Sequence, residues 1–207
     1  NYRIATTIGE AVGVIRRVTL GDFDNPQVLD FESVAAPTTI ASDDPLFTQF
    51  GVEVSASGGG VGTDVQNQTG QDGNALFFDG TDLHVLPQGD NNVNFGFDQT
   101  FTIDFRHPIQ QFGVSFQDQV GQDFTFNFFL DGSLIWQDVA STGTTVDDLV
   151  AFETTFMFDR VVIDGALATD GFGIDNITIN AFPIPEPATA TLLTLATLGL
   201  TRRRRCA

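Results

Sequence analysis

Apolar and polar residues alternate along most of the middle of this chain. Residues 101–106, 112–117 and 124–130 carry Phe, Ile, Val or Leu at every second position, with mostly polar residues between them. Alternation with a period of two is typical of half-buried antiparallel strands. Shorter stretches of the same kind predict further strands at QVLDFES, QFGVEVSAS, NALFFDG, DLHVLP, LVAFETT, DRVVIDG and FGIDNITIN.

Turn-forming residues separate these segments. In FLDGSLIW, Asp131-Gly132 lies between two apolar runs and predicts a tight hairpin, because such turns need positive φ and glycine supplies it. The loops SDDP, SGGGVGTD and PQGDNN are rich in Gly, Asn, Asp and Pro, and no central segment of useful length has a helical period. We therefore expect an all-β fold, an antiparallel β-sandwich or jelly roll, in one domain over residues 21–182.

The first twenty residues have a different pattern. Their apolar positions are spaced by four, three, one and three residues, as on one face of a helix. We expect residues 1–20 to form an N-terminal extension of helical character, ending at Arg16 and Arg17. The apolar positions are Ile4, Ile8, Ala11, Val12 and Ile15.

Charge is distributed very unevenly over the 207 residues, whose formal net charge is −18. Between residues 18 and 182 the chain has 25 acidic residues and two basic ones, Arg106 and Arg160, a net charge of −23. Nucleic-acid affinity depends on Lys and Arg displacing counterions, so this composition excludes nucleic acid as a partner. Alternatively, the acidic surface only keeps an extracellular protein soluble and has no binding partner.

Phenylalanine is unusually frequent and cysteine nearly absent. With 21 Phe against one Trp and one Tyr, the core is expected to consist mainly of phenyl rings. The single cysteine, Cys206, lies near the end of the chain, so the predicted domain has neither a disulfide nor a thiolate metal site or nucleophile.

The last 25 residues, 183–207, combine three features in order. Pro185-Glu186-Pro187 precedes an uncharged, largely apolar run over residues 188–201, and four arginines follow it. As a helix this run is roughly 21 Å long at ~1.5 Å per residue, short for a hydrocarbon core of about 30 Å. Arginines resist membrane passage, so they are expected to stay cytoplasmic and leave the acidic domain outside. These arginines are Arg202, Arg203, Arg204 and Arg205.

This ordered set resembles the PEP-CTERM sorting signal of bacterial surface proteins. The resemblance covers residues 185–207 and implies recognition and removal of the tail by an exosortase in the inner membrane. It further implies a mature protein in the cell envelope, at the surface or in the exopolysaccharide matrix. The implied partners are the exosortase-type enzyme and the inner membrane, with exopolysaccharide as the candidate ligand. The resemblance gives a destination and no activity.

Acidic and amide side chains near the end of the domain are candidate metal ligands. Asp170, Asp175 and Asn176 offer the oxygen ligands that Ca²⁺ accepts from loops, which predicts a structural calcium ion. Two alternatives stay open for Asp175. It accepts backbone N–H bonds at a turn, or it pairs with Arg160.

No catalytic residue can be assigned. His84 and His107 belong to no recognisable metal pair, and the chain has no G-x-S-x-G elbow or phosphate-binding loop. Glycoside hydrolysis needs only two suitably spaced carboxylates, yet the central glutamates, Glu32, Glu53 and Glu153, do not identify a pair.

Two aromatic residues are candidates for stacking on sugars. Phe129 and Trp136 would form such a surface if exposed, although Trp136 shares a hairpin with core-like phenyl rings and is expected to be buried. The sequence thus predicts an exported surface or matrix protein with a carbohydrate-binding or structural β-sandwich. The alternative is a secreted glycan-active hydrolase.

Overall fold

A computed structural model describes residues 2–4, 13–58, 73–87, 99–117, 122–142, 149–165 and 172–180. These residues form antiparallel strands with one short α-helix, α1 (Pro45–Phe50), and one 3-10 turn, Leu20–Asp22. The strands are β1 (Tyr2–Ile4), β2 (Val14–Arg17), β3 (Pro26–Leu29), β4 (Thr38–Ile40), β5 (Val52–Gly58), β6 (Asn74–Phe78), β7 (Leu83–Pro87), β8 (Gln99–Gln117), β9 (Asp123–Leu130), β10 (Ser133–Ser141), β11 (Leu149–Asp164) and β12 (Gly173–Asn180).

Two long strands, β8 and β11, run through both layers of the fold. The first half of β8 pairs with β5 and with the second half of β11, which pairs in turn with β9, and β9 with β10. We call these five strands the first sheet. The second half of β8 pairs with β12 and with the first half of β11, and the remaining strands extend this second sheet on both sides. The predicted all-β antiparallel sandwich is confirmed at this level.

Each long strand was expected as two short ones. In β8 the buried apolar side chains change from Phe101, Ile103 and Phe105 to Phe112 and Val114, that is, from odd to even numbers, and in the second half the residues between them are buried as well. The pairing of β8 with β11 shifts register between these halves, around Ile109 and Phe158. A bulge changes which residues face the core without ending the strand, so the alternation is interrupted where the hydrogen bonding continues.

Phenyl rings fill the space between the sheets, as the composition predicts. The largest fully buried side chains of the described residues are all phenylalanines. Phe172 illustrates the packing: its ring centroid lies 5.4 Å from that of Phe101, 5.8 Å from that of Phe116 and 4.7 Å from that of Phe124. Tilted and edge-on contacts at these distances are the favourable geometries for aromatic pairs.

The N-terminal segment corrects the sequence-based expectation of a helical extension. Residues 2–4 and 14–17 are strands, and residues 5–12 lie outside the described part of the chain. β2 pairs with β11, and Ile15 is only 2 % exposed, so this strand belongs to the domain. β-Branched Val14 and Ile15 fit a strand better than a helix, and the hydrogen-bonding edge of β11 outweighs a weak helical spacing.

The helix α1 was not expected, although its boundaries have clear sequence signals. The Asp44 carboxylate accepts the N–H of Leu46 at 2.9 Å, and Pro45 occupies the first turn. Gly51 ends the helix in the left-handed conformation at φ 83°. The chain therefore turns from α1 directly into β5.

The predicted sorting signal and its apolar helix, residues 183–207, lie outside the described residues. Within the described residues, no helix has the length and apolar character needed to cross a bilayer.

Candidate functional site

One line of side chains crosses the outer face of the first sheet from β5 to β10. Each member stands opposite the next in the strand pairing, and we call this set the cross-strand row. At about 4.8 Å per strand the row is about 19 Å long. Its members, in order, are Glu53, Asp104, Arg160, Phe129 and Leu134.

The centre of the row is an ion pair. Arg160 donates a hydrogen bond from Nε to Oδ1 of Asp104 over 2.5 Å, and both side chains are partly exposed. This hydrogen bond and the negative charge of Asp104 raise the pKa of Arg160. The negative charge of Asp159 raises it further. The guanidinium is therefore committed to Asp104.

A cavity of about 420 Å³ opens at the charged end of the row, where α1 turns into β5. The backbone N–H of Arg106 donates to the carbonyl of Gly51 at 2.9 Å and ties β8 to this corner. We call it the end cavity. It is lined by Thr48, Gly51, Val52, Glu53, Asp104, Phe105 and Arg106.

Two charged side chains in the end cavity are uncommitted. Neither the Glu53 carboxylate nor the Arg106 guanidinium makes a hydrogen bond or an ion pair within the described part of the chain. Both are exposed. They are thus available to a ligand, unlike Asp104.

The site gathers both cations of the acidic domain. Arg106 and Arg160 are the two basic residues between positions 18 and 182; Arg106 follows Asp104 by two positions on β8, and Arg160 stands opposite Asp104 on β11. With Glu53 and Asp104 they make a local formal charge of zero within a segment of charge −23. The sequence revealed that two cations exist there, but only the register of β5, β8 and β11 brings them together.

Beside the row, most of the side chains on the outer face of the first sheet are uncharged and polar, with Asp164 and two valines among them. Gln137 donates from Nε2 to Oδ1 of Asn127 over 2.6 Å. Hydroxyl and amide groups of this kind act as both donors and acceptors. The two adjacent rows consist of Ser55, Thr102, Val162, Asn127 and Gln137, and of Ser57, Thr100, Asp164, Thr125 and Val139.

The two aromatic candidates face different ways. Phe129 is half-buried on the outer face, opposite Leu134, which is 54 % exposed. The pairing of β9 with β10 shifts after Leu134, so that Trp136 stands opposite the core residue Phe128. Trp136 is half-buried and packs against the core, and its Nε1 is buried without a hydrogen-bond partner. Phe129 alone of the two therefore belongs to the outer face.

The predicted calcium ligands do not lie at this site. Asp175 is 3 % exposed and accepts the backbone N–H of Asn176 at 2.7 Å and the Asn176 side-chain amide at 3.0 Å. Asn176 has φ 49° at a bulge in β12, so the turn-like alternative for Asp175 is confirmed. Pairing with Arg160 is wrong, because Arg160 binds Asp104. Asp170 lies outside the described residues, and calcium stays a prediction.

Metal ligands are not clustered elsewhere in the part of the chain that the structure describes, where no three His, Cys, Asp or Glu side chains come together. His84 bonds through Nε2 to Asp79 at 3.0 Å and through Nδ1 to the Thr39 hydroxyl at 3.1 Å. His107 is exposed on β8.

The other two central glutamates have structural partners. Glu32 accepts the N–H of Asn74 at 2.7 Å, and Glu153 pairs with Arg16. Only Glu53 of the three glutamates considered from the sequence lines the end cavity.

Comparison with known proteins gives little. No family model and no curated protein matches the chain. A solved structure described as "X-ray structure of GH31 CBM32-2 bound to GalNAc" is 16% identical, with 62% of this chain and 94% of that chain covered, at a TM-score of 0.24. A likeness this low carries no argument about fold or function, so the chemistry of the site must be judged from its own residues.

Proposed function

We propose that the protein is an exported surface or matrix protein that binds a polysaccharide across the outer face of its first sheet. The observation that carries the proposal is the cross-strand row, which is charged at Glu53 and Asp104 and apolar at Phe129 and Leu134. Sugars have the same two-sided character. Their C–H faces pack on aromatic rings and their hydroxyls bond to carboxylates and guanidinium groups.

The dimensions of the face also favour an extended ligand. Phe129 lies three strand spacings from Glu53, about 14 Å, which is the span of a short oligosaccharide. The flanking rows of Ser, Thr, Asn and Gln offer further hydrogen-bonding groups along the same surface. The proposal includes the jelly-roll connectivity expected from the sequence, in which the chain leaves the second sheet after β8, passes through β9 and β10 of the first sheet and returns to the second sheet at the start of β11.

Binding is favoured over hydrolysis because only one of the two opposed carboxylates is uncommitted. Glycosidases commonly need one carboxyl group as acid and another as base or nucleophile. Glu53 and Asp104 face each other across two strands, but Asp104 already accepts the hydrogen bond from Arg160.

A glycan-binding screen of the full chain tests the proposal. Phe129→Ala removes the aromatic platform and is expected to weaken binding to a retained polysaccharide about tenfold, which corresponds to ~1.4 kcal/mol. Leu20→Ala is the matched control, since Leu20 is 46 % exposed in the 3-10 turn outside this sheet. Retention of no polysaccharide, or equal binding by Phe129→Ala, would contradict the proposal.

A glycan-active hydrolase is the second candidate, and the opposed pair Glu53 and Asp104 is the observation in its favour. Incubation of the bound polysaccharide with the protein separates the two candidates. Release of reducing ends that disappears in Glu53→Gln would establish the hydrolase. Binding without turnover is the result expected here.

The destination is proposed from the tail alone. Pro185-Glu186-Pro187, the uncharged run and the arginines favour processing by an exosortase-type enzyme at the inner membrane. A protein released into an exopolysaccharide matrix would meet the class of ligand that the outer face is proposed to bind.

A further inference from the structure

We infer that the end cavity binds a carboxylate-bearing sugar, a uronic acid, with Arg106 holding the carboxylate and Glu53 accepting hydroxyl groups. This inference rests on the proposed polysaccharide binding and specifies its ligand class. It concerns one end of the cross-strand row, whereas the proposed function depends on the apolar end at Phe129.

Arg106 differs from the other arginines whose side chains the structure describes. Arg16 pairs with Glu153, Arg17 with Asp138 and Arg160 with Asp104. Arg106 is exposed, lines a cavity and has no acidic partner within the described residues.

The guanidinium group suits a carboxylate ligand. Its planar fork of N–H donors binds the two oxygens of a carboxylate side by side, in a charge-assisted geometry that a neutral hydroxymethyl group cannot reproduce. A uronic acid and its neutral counterpart differ at this group only. The cavity therefore has a means of telling the two apart.

The acidic residues around the end cavity do not prevent it from binding an anion. Asp104 is neutralised by Arg160 at 2.5 Å, so the remaining charges of the cavity are Glu53 and Arg106. The domain as a whole carries −23 and repels an anionic polymer, but such repulsion is screened beyond about 8 Å at physiological salt. A uronate can therefore contact Arg106 while most of the polymer stays clear of the acidic surface.

Glu53 and its neighbours complete the recognition of a sugar. A carboxylate without a partner accepts hydrogen bonds from hydroxyl groups, and Thr48 supplies a further hydroxyl at the cavity wall. Val52 and Phe105 provide apolar atoms in the same lining. The cavity thus offers a cation, an acceptor and an apolar wall within one sugar-sized space.

The experiment compares a polyuronate with the same polymer after chemical reduction of its carboxyl groups, so that linkage and length are unchanged. The full chain is expected to bind the polyuronate at least tenfold more tightly than the reduced polymer. Arg106→Gln is expected to lose that preference while still binding the reduced polymer, which also shows that the variant is folded. Arg106→Lys keeps the positive charge but lacks the planar set of N–H donors of the guanidinium group. It should therefore retain only part of the preference for the polyuronate over the reduced polymer.

Ser33→Asp is the control for overall charge, because it also makes the protein more negative by one unit at an exposed position away from the first sheet. It should keep the preference for the polyuronate. Equal binding of both polymers by the unmodified chain, or an unchanged preference in Arg106→Gln, would overturn the inference and leave the proposed function standing. Binding of neither polymer would also overturn the inference, whereas the proposed function is overturned only if the glycan-binding screen retains no polysaccharide or Phe129→Ala binds equally.

Discussion

The carboxylate of Asp79 organises the turn between β6 and β7. Its Oδ1 accepts the backbone N–H groups of Thr81 and Asp82, each at 2.8 Å, and its Oδ2 bonds to Nε2 of His84 at 3.0 Å. Burial by itself raises the pKa of Asp79, but the hydrogen bonds from Asp82, Thr81 and His84 outweigh it and hold the pKa below its ordinary value. The folded protein therefore prefers the ionised form more strongly than the unfolded chain does.

The lowered pKa predicts how this residue contributes to acid stability. A carboxyl with a lowered folded pKa stabilises the fold above its unfolded pKa, about 4, and this contribution is lost as the pH falls through the folded pKa. Asp79→Asn should therefore melt a few degrees below the unmodified protein at pH 7. The difference should shrink as the pH falls below about 4, measured by thermal melts at a series of pH values.

Asp43→Asn is the control for the charge alone, since Asp43 is exposed and makes none of these turn hydrogen bonds. Any general relief of acidic repulsion should appear in both variants. A melting difference for Asp79→Asn that does not shrink as the pH is lowered below about 4 would contradict the linkage to this carboxyl.

Among the elements, the β9–β10 hairpin positions the apolar end of the cross-strand row. Asp131 and Gly132 both have positive φ, 49° and 75°, as the two central residues of the tightest hairpin turns require. The bulge after Leu134 then keeps this residue on the outer face with Phe129 and turns Trp136 to the core. The hairpin thus determines which hydrophobic side chains a ligand meets.

Replacing Gly132 tests the backbone requirement without a packing effect. A Cβ at Gly132 would meet no atom within 4 Å, so Gly132→Ala should destabilise the fold only through its positive φ, by about 1 kcal/mol. For a domain of this size we expect a Tm lower by roughly 2–4 °C. Gly21→Ala is the matched control, because its Cβ makes only an ordinary contact with Thr19 and its φ is not positive.

The expected result for Gly21→Ala is an unchanged or slightly higher Tm, since alanine restricts the unfolded chain. Equal melting of Gly132→Ala and the unmodified protein would show that the turn does not need its left-handed residue.

Periodicity predicted elements well where a segment has one exposed and one buried face. β9 and the hairpin at Asp131-Gly132 follow directly from their residues. Two errors have physical causes. The bulge in β8 moves the apolar core residues from odd to even positions within one strand. β2 becomes a strand because β11 offers a free edge, which no local pattern encodes.

At the scale of the whole molecule, the candidate site could be predicted only in part. Composition shows that Arg106 and Arg160 are rare cations in an acidic domain, and residue type marks Phe129 as a candidate platform. Their convergence depends on the pairing of β5, β8, β11 and β9, which places residues 31 to 56 positions apart opposite one another. Glu53 could not be separated from Glu32 and Glu153 until their hydrogen-bond partners were known.

The uneven distribution of charge also bears on the route that the whole chain takes. Four arginines at the C-terminal end resist transfer through a bilayer, whereas the acidic domain has only two arginines. We therefore propose that the acidic domain is exported and that the four arginines stay in the cytoplasm and hold the chain briefly at the membrane. Because Ile15 and β2 belong to the sandwich, tests of the tail must keep the N-terminal residues and change only residues C-terminal to Phe182.

Cell fractionation of three chains tests whether the four C-terminal arginines hold the protein at the membrane. In the cells that produce the protein, the full chain should pass through a membrane-bound form and then appear shortened in the envelope or the medium. A chain ending at Phe182 should lack the membrane-bound form, because it lacks both the apolar run and the arginines. Replacing Arg202, Arg203, Arg204 and Arg205 by Gln keeps the length and apolar run but removes the charge that resists transfer. This variant should therefore be exported without a membrane-bound form.

An intact full chain that stays in the cytosol and never associates with membranes would refute the proposed sorting. The proposed glycan-binding face would then still be tested separately, because it depends on the described domain and not on the tail.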